Sequence, residues 1–254
     1  MGVGVTNKNT VQEIQESEKL FVPYAASTRL PYVVCDEETY NDQAFLFGTE
    51  EELKAFAQQQ AAKKIQLLGM SFEKKSFNVL FSNLHAIGVN AVVWMQGEER
   101  TEVELEELFP APDFSKLEPA KRPLLNPALA LSGIYYMQAA RKQGAVQAEL
   151  AELQEELLAN VVRAEYLLPM TIDPKNPKKI LIPSFKDKEG KMSYLFFSDI
   201  LEYQKFVGKQ KFLMGRVPFK KIAELPGDKS MRYVLNPLGF NLTLTKEQVQ
   251  RLAK

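Results

Sequence analysis

The chain has 254 residues, 45% of them hydrophobic and 25% charged, and its 32 basic side chains equal its 32 acidic ones in number. This balance is typical of a folded globular protein and excludes an intrinsically disordered one. A single cysteine, Cys35, excludes an internal disulfide, and no apolar run approaches the ~20 residues that cross a bilayer. The N-terminus also lacks a signal-peptide pattern, so we expect a cytoplasmic protein that does not enter a membrane.

The first part of the chain predicts two strands, the second of which runs into a capped helix. Residues 19–23 are apolar and end in proline. Because proline has no N–H to donate to a ladder, we expect this strand to end there or to lie at a sheet edge. Residues 45–47 predict a strand that leads into a helix capped by Thr49, with Glu52 three positions later completing a capping box.

A later strand and helix follow the same logic. Residues 91–97 predict a strand that enters a turn at Gly97, which can adopt a positive φ. Thr101 and Glu104 again have capping-box spacing and predict a helix that begins near Leu105.

Residues 110–148 predict a connector. Prolines at four positions between Phe109 and Asn126 disfavour helix and predict an extended linker. Asn126, as the cap, and Pro127 then predict the start of a helix. A second helix from Val146 carries apolar residues every three or four positions, a stripe that packs either on the second domain or on a partner.

The second half repeats the first. Residues 165–169 match residues 19–23, and Asp199 with Glu202 matches Thr49 with Glu52 at a constant spacing. Three further matches bring together Gly69 with Gly215, Trp94 with Asn236, and the Thr101–Glu104 pair with the Thr245–Gln248 pair. Residues 175–179 and 186–191 are polar and predict surface loops.

We therefore predict an α+β fold made of two similar sheet-plus-helix domains in tandem. The first domain spans residues 10–109, a proline-rich linker and helical connector spans 110–148, and the second domain spans 149–254.

The matched segments resemble the N-terminal domain of the SseB-like family, which is named for enhanced serine sensitivity. The resemblance lies in a strand ending in Val-Pro or Leu-Pro, an aromatic strand running into a helix cap, and the segment Asn236-Pro237-Leu238-Gly239. The first half departs from it, with Trp94-Met95-Gln96-Gly97 in the last position. The resemblance implies a bacterial α+β protein and supplies no reaction, ligand or established link to serine.

Charge separates the halves. Residues 1–125 carry 12 basic and 19 acidic side chains, a net charge of −7, whereas residues 126–254 carry 20 and 13, a net charge of +7. Eight basic residues lie between Lys205 and Arg232, interleaved with aromatic ones. This pattern fits a solvated sheet face better than an anion or nucleic-acid surface, since no RNA-binding motif accompanies it. Opposite charges also suit docking of the halves or head-to-tail association of chains.

No residues assemble into a predicted catalytic or metal site. Cys35 and His85 are 50 positions apart and have no nucleophile motif around them. The acidic runs lack the alternating oxygen spacing of a calcium loop. We expect neither a cofactor nor a metal.

The expected function is that of a non-enzymatic protein-interaction or regulatory module with an unidentified protein partner and no nucleic acid. The predicted partner-binding residues lie in the second domain: Arg216, Lys220, Lys221, Asn236 and Gly239. The alternative is a protein that binds a small metabolite or anion at the same place.

Overall fold

The computed structural model describes residues 3–142, 144, 146–187 and 189–254, with the backbone alone for residues 3–7. The chain divides into two compact units. The first unit comprises residues 1–116 and 134–150, and the second comprises residues 117–133 and 151–254. Both contain strands and helices in mixed sheets, which confirms the α+β fold class.

The first unit contains, in chain order, α1 (Val3–Glu16), β1 (Lys19–Ala25), β2 (Leu30–Pro31), β3 (Val33–Cys35), β4 (Asp42–Phe47), α2 (Glu50–Ala62), β5 (Leu67–Glu73), α3 (Phe77–Ala86), β6 (Ala91–Gln96), β7 (Glu99–Glu104) and α4 (Leu105–Leu108). Its sheet has the order β2-β1-β4-β6-β7, with β3 paired to β4 and β5 paired to β1. Among the strand pairs of the described residues in this unit, β4–β6 alone is parallel.

Aromatic rings form the centre of one core cluster in the first unit. The Phe56 ring of α2 lies 4.9 Å from Phe45 and 5.3 Å from Phe47, both on β4. The helix is placed there by its cap, because the Thr49 side chain accepts a hydrogen bond from the Glu52 N–H. Leu53, one turn in, is also buried in this cluster.

Two helices follow in the chain: α5 (Pro127–Ala140) and α6 (Gln147–Arg163). Both were predicted, but the Asn126 side chain does not cap α5. Its amide nitrogen donates instead to the carbonyl oxygens of Glu165 and Ser198, at 2.9 and 2.5 Å. The division between the two units falls within both helices, after Gly133 in α5 and after Leu150 in α6. Of the α6 stripe, Leu157 and Val161 are fully buried and Val146 is half exposed.

The second unit continues with β8 (Glu165–Asp173), β9 (Asn176–Leu181), β10 (Phe185–Lys186), β11 (Met192–Phe196), α7 (Ile200–Val207), β12 (Leu213–Pro218), α8 (Phe219–Ala223), β13 (Arg232–Leu235), β14 (Leu242–Thr245) and α9 (Lys246–Leu252). One sheet has the order β10-β11-β13-β14 and another the order β12-β8-β9. In the part of this unit that the structure describes, one isolated bridge between Leu167 and Phe197 joins them. Residues 175–179, predicted as a loop, include the start of β9, because Ile172 and Ile180 pair across the hairpin.

The two units pair their strands in the same way. The antiparallel β1–β5 pair corresponds to β8–β12, the parallel β4–β6 pair to β11–β13, and the closing β6–β7 hairpin to β13–β14. The bridge between Phe21 and Phe47 corresponds to the one between Leu167 and Phe197. A shared order and direction of pairing is what a duplication produces.

The two prolines do not end their strands. β1 continues through Pro23 to Ala25, and β8 continues through Pro169 to Asp173. On one side β1 pairs with β4 at Phe21 and with β2 from Tyr24 onward, so Pro23 lies where the neighbouring strand changes. Pro169 lies in the same gap between the Leu167 bridge and β9. A missing N–H costs little there because the ladder is already interrupted.

Three of the sequence matches are displaced. Pro23 pairs with Gly69 and Pro169 pairs with Met214, so Gly69 corresponds to Met214 and not to Gly215.

The closing hairpins show the other two displacements. Ala91 pairs with Glu104 and Arg232 pairs with Thr245, which makes Glu104 the counterpart of Thr245. Thr101 lies within β7 and caps no helix, whereas Thr245 forms the predicted capping box with Gln248. By the same register Asn236 corresponds to Met95, one position after Trp94.

Gly133 on α5 tests how tightly the second unit is packed. A Cβ at this position would lie 2.8–2.9 Å from three atoms of the Phe240 ring, which is fully buried. We expect Gly133→Ala to lower the free energy of unfolding, since overpacking costs ~1–3 kcal/mol and the gain in helix propensity returns only ~1 kcal/mol. Urea unfolding measures the change. In the Phe240→Leu background the same substitution should cost less, and an equal cost in both backgrounds would contradict the ring contact.

Candidate functional site

A buried polar cluster lies where β11 and β13 end side by side in the second unit. Its members are Ser198, Asp199, Glu202, Asn236 and Gly239, and all five are buried. Because β11 and β13 run parallel, their carboxyl ends lie side by side at the same end of the sheet. In open sheets this end often carries binding residues. Two of the predicted residues, Asn236 and Gly239, belong to this polar cluster.

Asn236 links the two strand ends. Its backbone N–H donates to the Phe196 carbonyl at 3.0 Å, and its side-chain oxygen accepts the Ser198 N–H at 2.9 Å. Its amide nitrogen donates to the Ser198 hydroxyl at 2.7 Å. Asn236 adopts a φ of +50°, which asparagine tolerates better than most residues. The Asn236 carbonyl then accepts the Gly239 N–H at 2.9 Å and closes the turn. The side chain therefore uses its polar atoms within the fold.

Asp199 caps α7 with one carboxylate oxygen and holds Ser198 with the other. Oδ1 accepts the N–H groups of Leu201 and Glu202, both at 2.9 Å, and Oδ2 accepts the Ser198 hydroxyl at 2.6 Å. The first-turn amides of α7 are thus occupied by the protein's own carboxylate.

Glu202 is the strained member of the cluster. Its side chain is 5% exposed, its Oε1 lies 2.5 Å from Lys205 Nζ, and its Oε2 has no hydrogen-bond partner among the described residues. Oε2 rests against Gly239, where a Cβ would come within 2.6 Å of it. Burial raises the pKa of the Glu202 carboxyl above its ordinary value, Lys205 opposes the shift and the Asp199 charge adds to it.

The counterpart in the first unit is fully satisfied. Glu52 Oε2 accepts the Thr49 hydroxyl at 2.7 Å, and its Oε1 accepts the Gly97 N–H at 3.2 Å. In the second unit Asp199 replaces the hydroxyl donor with a carboxylate, and the N–H of Gly239, the residue that lies against Glu202, donates to the Asn236 carbonyl instead. Compared with Glu52, Glu202 therefore has fewer donors and a like-charged neighbour, Asp199.

The predicted basic residues lie on different elements from the polar cluster. Arg216, on β12, contacts Glu165 through Nε at 2.9 Å and a terminal nitrogen at 2.5 Å. Lys221, on α8, pairs with Glu224 at 2.6 Å, and Lys220 beside it is exposed with no ion pair in the described part of the chain. Of the eight basic residues between Lys205 and Arg232, five form ion pairs: Lys205, Arg216, Lys221, Lys229 and Arg232. The remaining three are Lys209, Lys211 and Lys220.

Cys35 and His85 have separate surroundings. Cys35 is exposed on β3, and burial together with Asp42, Asp36 and Glu37 raises the pKa of its thiol, which disfavours the nucleophilic thiolate. His85 Nε2–H donates to the Phe109 carbonyl at 2.7 Å. Among the described residues no group of three or more His, Cys, Asp and Glu side chains is placed to hold a metal ion.

Each unit also exposes apolar side chains on a strand that is paired on one side only. Within the described residues β5 pairs with β1 alone and β12 pairs with β8 alone. Leu68 and Met70 on β5 are 55% and 45% exposed, and Leu213 and Met214 on β12 are 46% and 55% exposed. The residues predicted from the sequence to bind a partner did not include these four. The signal was present, because both segments are apolar and end in two lysines, but it did not reveal which strands lie at the edges.

Comparisons with known proteins identify no family. No family model matches the chain, and no curated protein matches it. Two solved structures align over most of its length: Tic22 from Plasmodium falciparum, with 10% identity over 88% of this chain and 90% of that one, and Anabaena Tic22 (protein transport), with 9% identity over 89% and 91%. Their TM-scores are 0.22 and 0.21, too low to establish a shared fold. Within the described residues, no helix has the length and apolar character needed to span a membrane.

Glu202→Gln tests the strain in the polar cluster. A raised pKa means that the folded state holds the proton more tightly than the unfolded state, so the stability that Glu202 contributes is present below its ordinary pKa and is lost as pH rises through the folded value. The neutral amide of glutamine does not carry the free-energy cost of burying an ionised carboxylate. We expect the variant to be more stable than the parent at pH 7 by ~1–2 kcal/mol, which corresponds to a Tm increase of ~2–8 °C, and the difference to narrow toward pH 4.

Glu52→Gln is the matched control, because Glu52 accepts two hydrogen bonds and its substitution should not stabilise the protein. Thermal unfolding between pH 4 and 8 supplies the comparison. A Glu202→Gln variant that is less stable at pH 7 would overturn the assignment of strain.

Proposed function

We propose that the protein is a non-enzymatic, cytoplasmic interaction or regulatory module made of two SseB-like domains. Its contacts are made to protein partners through sheet edges. The support comes from the two edge strands, β5 and β12, which hold the same position in the two units and both expose apolar side chains.

An edge strand is a binding element with its own chemistry. Its outward N–H and C=O groups can pair with an added strand, and its side chains can contact those of the partner. Proteins commonly protect such edges with charge or proline, yet the middle of β5 is Leu68-Gly69-Met70 and β12 begins with Leu213-Met214. Exposed apolar residues at an unpaired edge favour an interaction role.

Duplication supplies two edges that can serve different partners. The two halves carry opposite net charges, −7 and +7. Because charge complementarity determines which partner associates, we expect the two edges to bind partners of different charge. The contribution of Arg216, Lys220 and Lys221 to partner binding stays a prediction.

The alternative is binding of a small metabolite or anion by the second unit. The turn that would carry it is occupied, because the Asn236 side chain bonds to Ser198 and the Gly239 N–H bonds to Asn236. Five of the eight nearby cations already have carboxylate partners.

Thermal shift distinguishes the two functions. A ligand present at about 100 times its Kd stabilises the folded state by ~2.7 kcal/mol, a shift that is easily measured. We expect no increase in Tm with serine, inorganic phosphate or other small metabolites and anions. A reproducible, saturable increase with any of them would favour the metabolite- or anion-binding alternative.

Site-specific photo-cross-linking tests the interaction role. A photoreactive amino acid at Met214, on the exposed edge of β12, should give discrete cross-linked products in the native host cell. The same residue at Gln250, which is exposed on α9 of the same unit, is the control. We expect the products at position 214 and not at position 250. Equal, diffuse labelling at both positions, or none at either, would contradict an interaction through this edge.

A further inference from the structure

The free edge of β12 continues into an apolar surface. Met170 pairs with Leu213, and Ile172 pairs with Ile180, so these four residues lie on one face of the β12-β8-β9 sheet. We call them the sheet patch. Ile172, Ile180 and Leu213 are each about half exposed, and Met170 lies across Gly215, which leaves room for it by having no Cβ. The sheet patch therefore reaches the unpaired edge as a continuous surface.

The charge beside this edge is positive and uncompensated. Lys209 and Lys211 immediately precede β12 and form no ion pair with any described residue. The carboxylates of the neighbouring strand β8 are already paired, Glu165 with Arg216 at 2.5 Å and Asp173 with Lys179 at 3.9 Å. Surplus cations next to an apolar surface favour an acidic partner that is also apolar.

The matching edge of the first unit also has lysines beside it, because the exposed Lys63 and Lys64 precede β5 and form no ion pair with any described residue. At the end of β5, Glu73 pairs with Lys19 at 3.1 Å, and the next residue, Lys74, lies 3.9 Å from Glu18. The two edges share strand geometry and unpaired lysines, and they differ in the net charge of the surrounding chain, which is −7 for residues 1–125 and +7 for residues 126–254. Selectivity for an acidic partner is expected of the second unit.

We propose that the second unit binds an extended, acidic segment of a partner protein, which adds as an antiparallel or parallel strand to the free edge of β12. This inference rests on the proposed interaction function and names the chemistry of its partner. Main-chain hydrogen bonds to β12 hold the added strand. Every second side chain of the bound segment packs beside Leu213 and extends the sheet patch. The carboxylates of the segment lie near Lys209 and Lys211.

Fluorescence anisotropy with two defined peptides tests the proposal. One dye-labelled peptide alternates Glu and Val, and the other alternates Lys and Val. Because two or three exposed ion pairs separate the peptides, we expect the Glu peptide to bind the full-length protein about ten-fold more tightly, and this advantage to shrink at high salt. Equal affinity for the two peptides, or no binding of either, would overturn the acidic specificity.

Variants assign the binding to this edge. Leu213→Glu and the double variant Lys209→Glu, Lys211→Glu should each weaken binding of the Glu peptide severalfold. Val162→Glu, which changes a 40% exposed apolar residue on α6 of the same unit, should leave it unchanged. If Val162→Glu weakens binding as much as Leu213→Glu, the edge is not the site.

Backbone methylation separates strand addition from simple adhesion. N-methyl groups on one alternate set of peptide residues face β12 and should abolish binding, whereas the same groups on the other set face away and should be tolerated. Equal behaviour of the two methylated peptides would rule out an added strand. If the peptide experiments fail but cross-linking at position 214 is specific, the proposed interaction function is supported and the partner has a different chemistry.

Discussion

The parallel pairing of two strands in each unit is the constraint on which the rest of the structure depends. β4 pairs with β6, and β11 pairs with β13, so that the carboxyl ends of the two strands meet. In each unit a capped helix follows the first strand of the parallel pair, β4 or β11, and a turn follows the second strand, β6 or β13. This arrangement places a first-turn glutamate beside a turn in both units and leaves the intervening strand, β5 or β12, to pair with the outer strand β1 or β8.

The two units satisfy this arrangement with different chemistry. In the first, a hydroxyl and a backbone amide stabilise the carboxylate of Glu52. In the second, Asp199 and Asn236 each bond to Ser198, and the Glu202 carboxylate contacts only the flexible Lys205 among the described side chains. An incompletely satisfied polar network destabilises the fold compared with a complete one, because a buried acceptor loses its water without gaining a donor. We therefore expect the second unit to keep the geometry of the first at a lower local stability.

Local chemistry made part of this fold predictable from the sequence. The caps at Thr49, Asp199 and Thr245 were identified because a side-chain oxygen and the third helical amide interact over one turn. The Thr101 spacing failed because β7 pairs with β6, and ladder pairing overrides a capping preference. Burial of Glu202 could not be predicted, since it depends on where the β13–β14 turn lies in space.

Strand register explains why the residues matched by sequence in the two closing hairpins are not the residues that occupy equivalent positions. Both hairpins place six residues between corresponding positions, Trp94 to Thr101 in one unit and Leu235 to Leu242 in the other. The first unit extends its ladder to a two-residue turn containing Gly97, which has a φ of +61°. In the second unit the six residues between Leu235 and Leu242 form a wide turn that begins at Asn236. Matching glycine to glycine therefore aligned turns whose residues do not occupy equivalent positions.

Open strand edges also carry a cost that the second unit limits in specific ways. A free edge invites uncontrolled pairing between copies, which proteins oppose with charge, proline and short strands. β12 is six residues long and ends at Pro218, β9 carries Pro177, and unpaired lysines flank both strands. Like charges on two copies repel each other, so these lysines disfavour pairing of this edge with itself. The same charge that protects the edge from its own copies attracts an acidic chain, so protection and selectivity arise from the same residues.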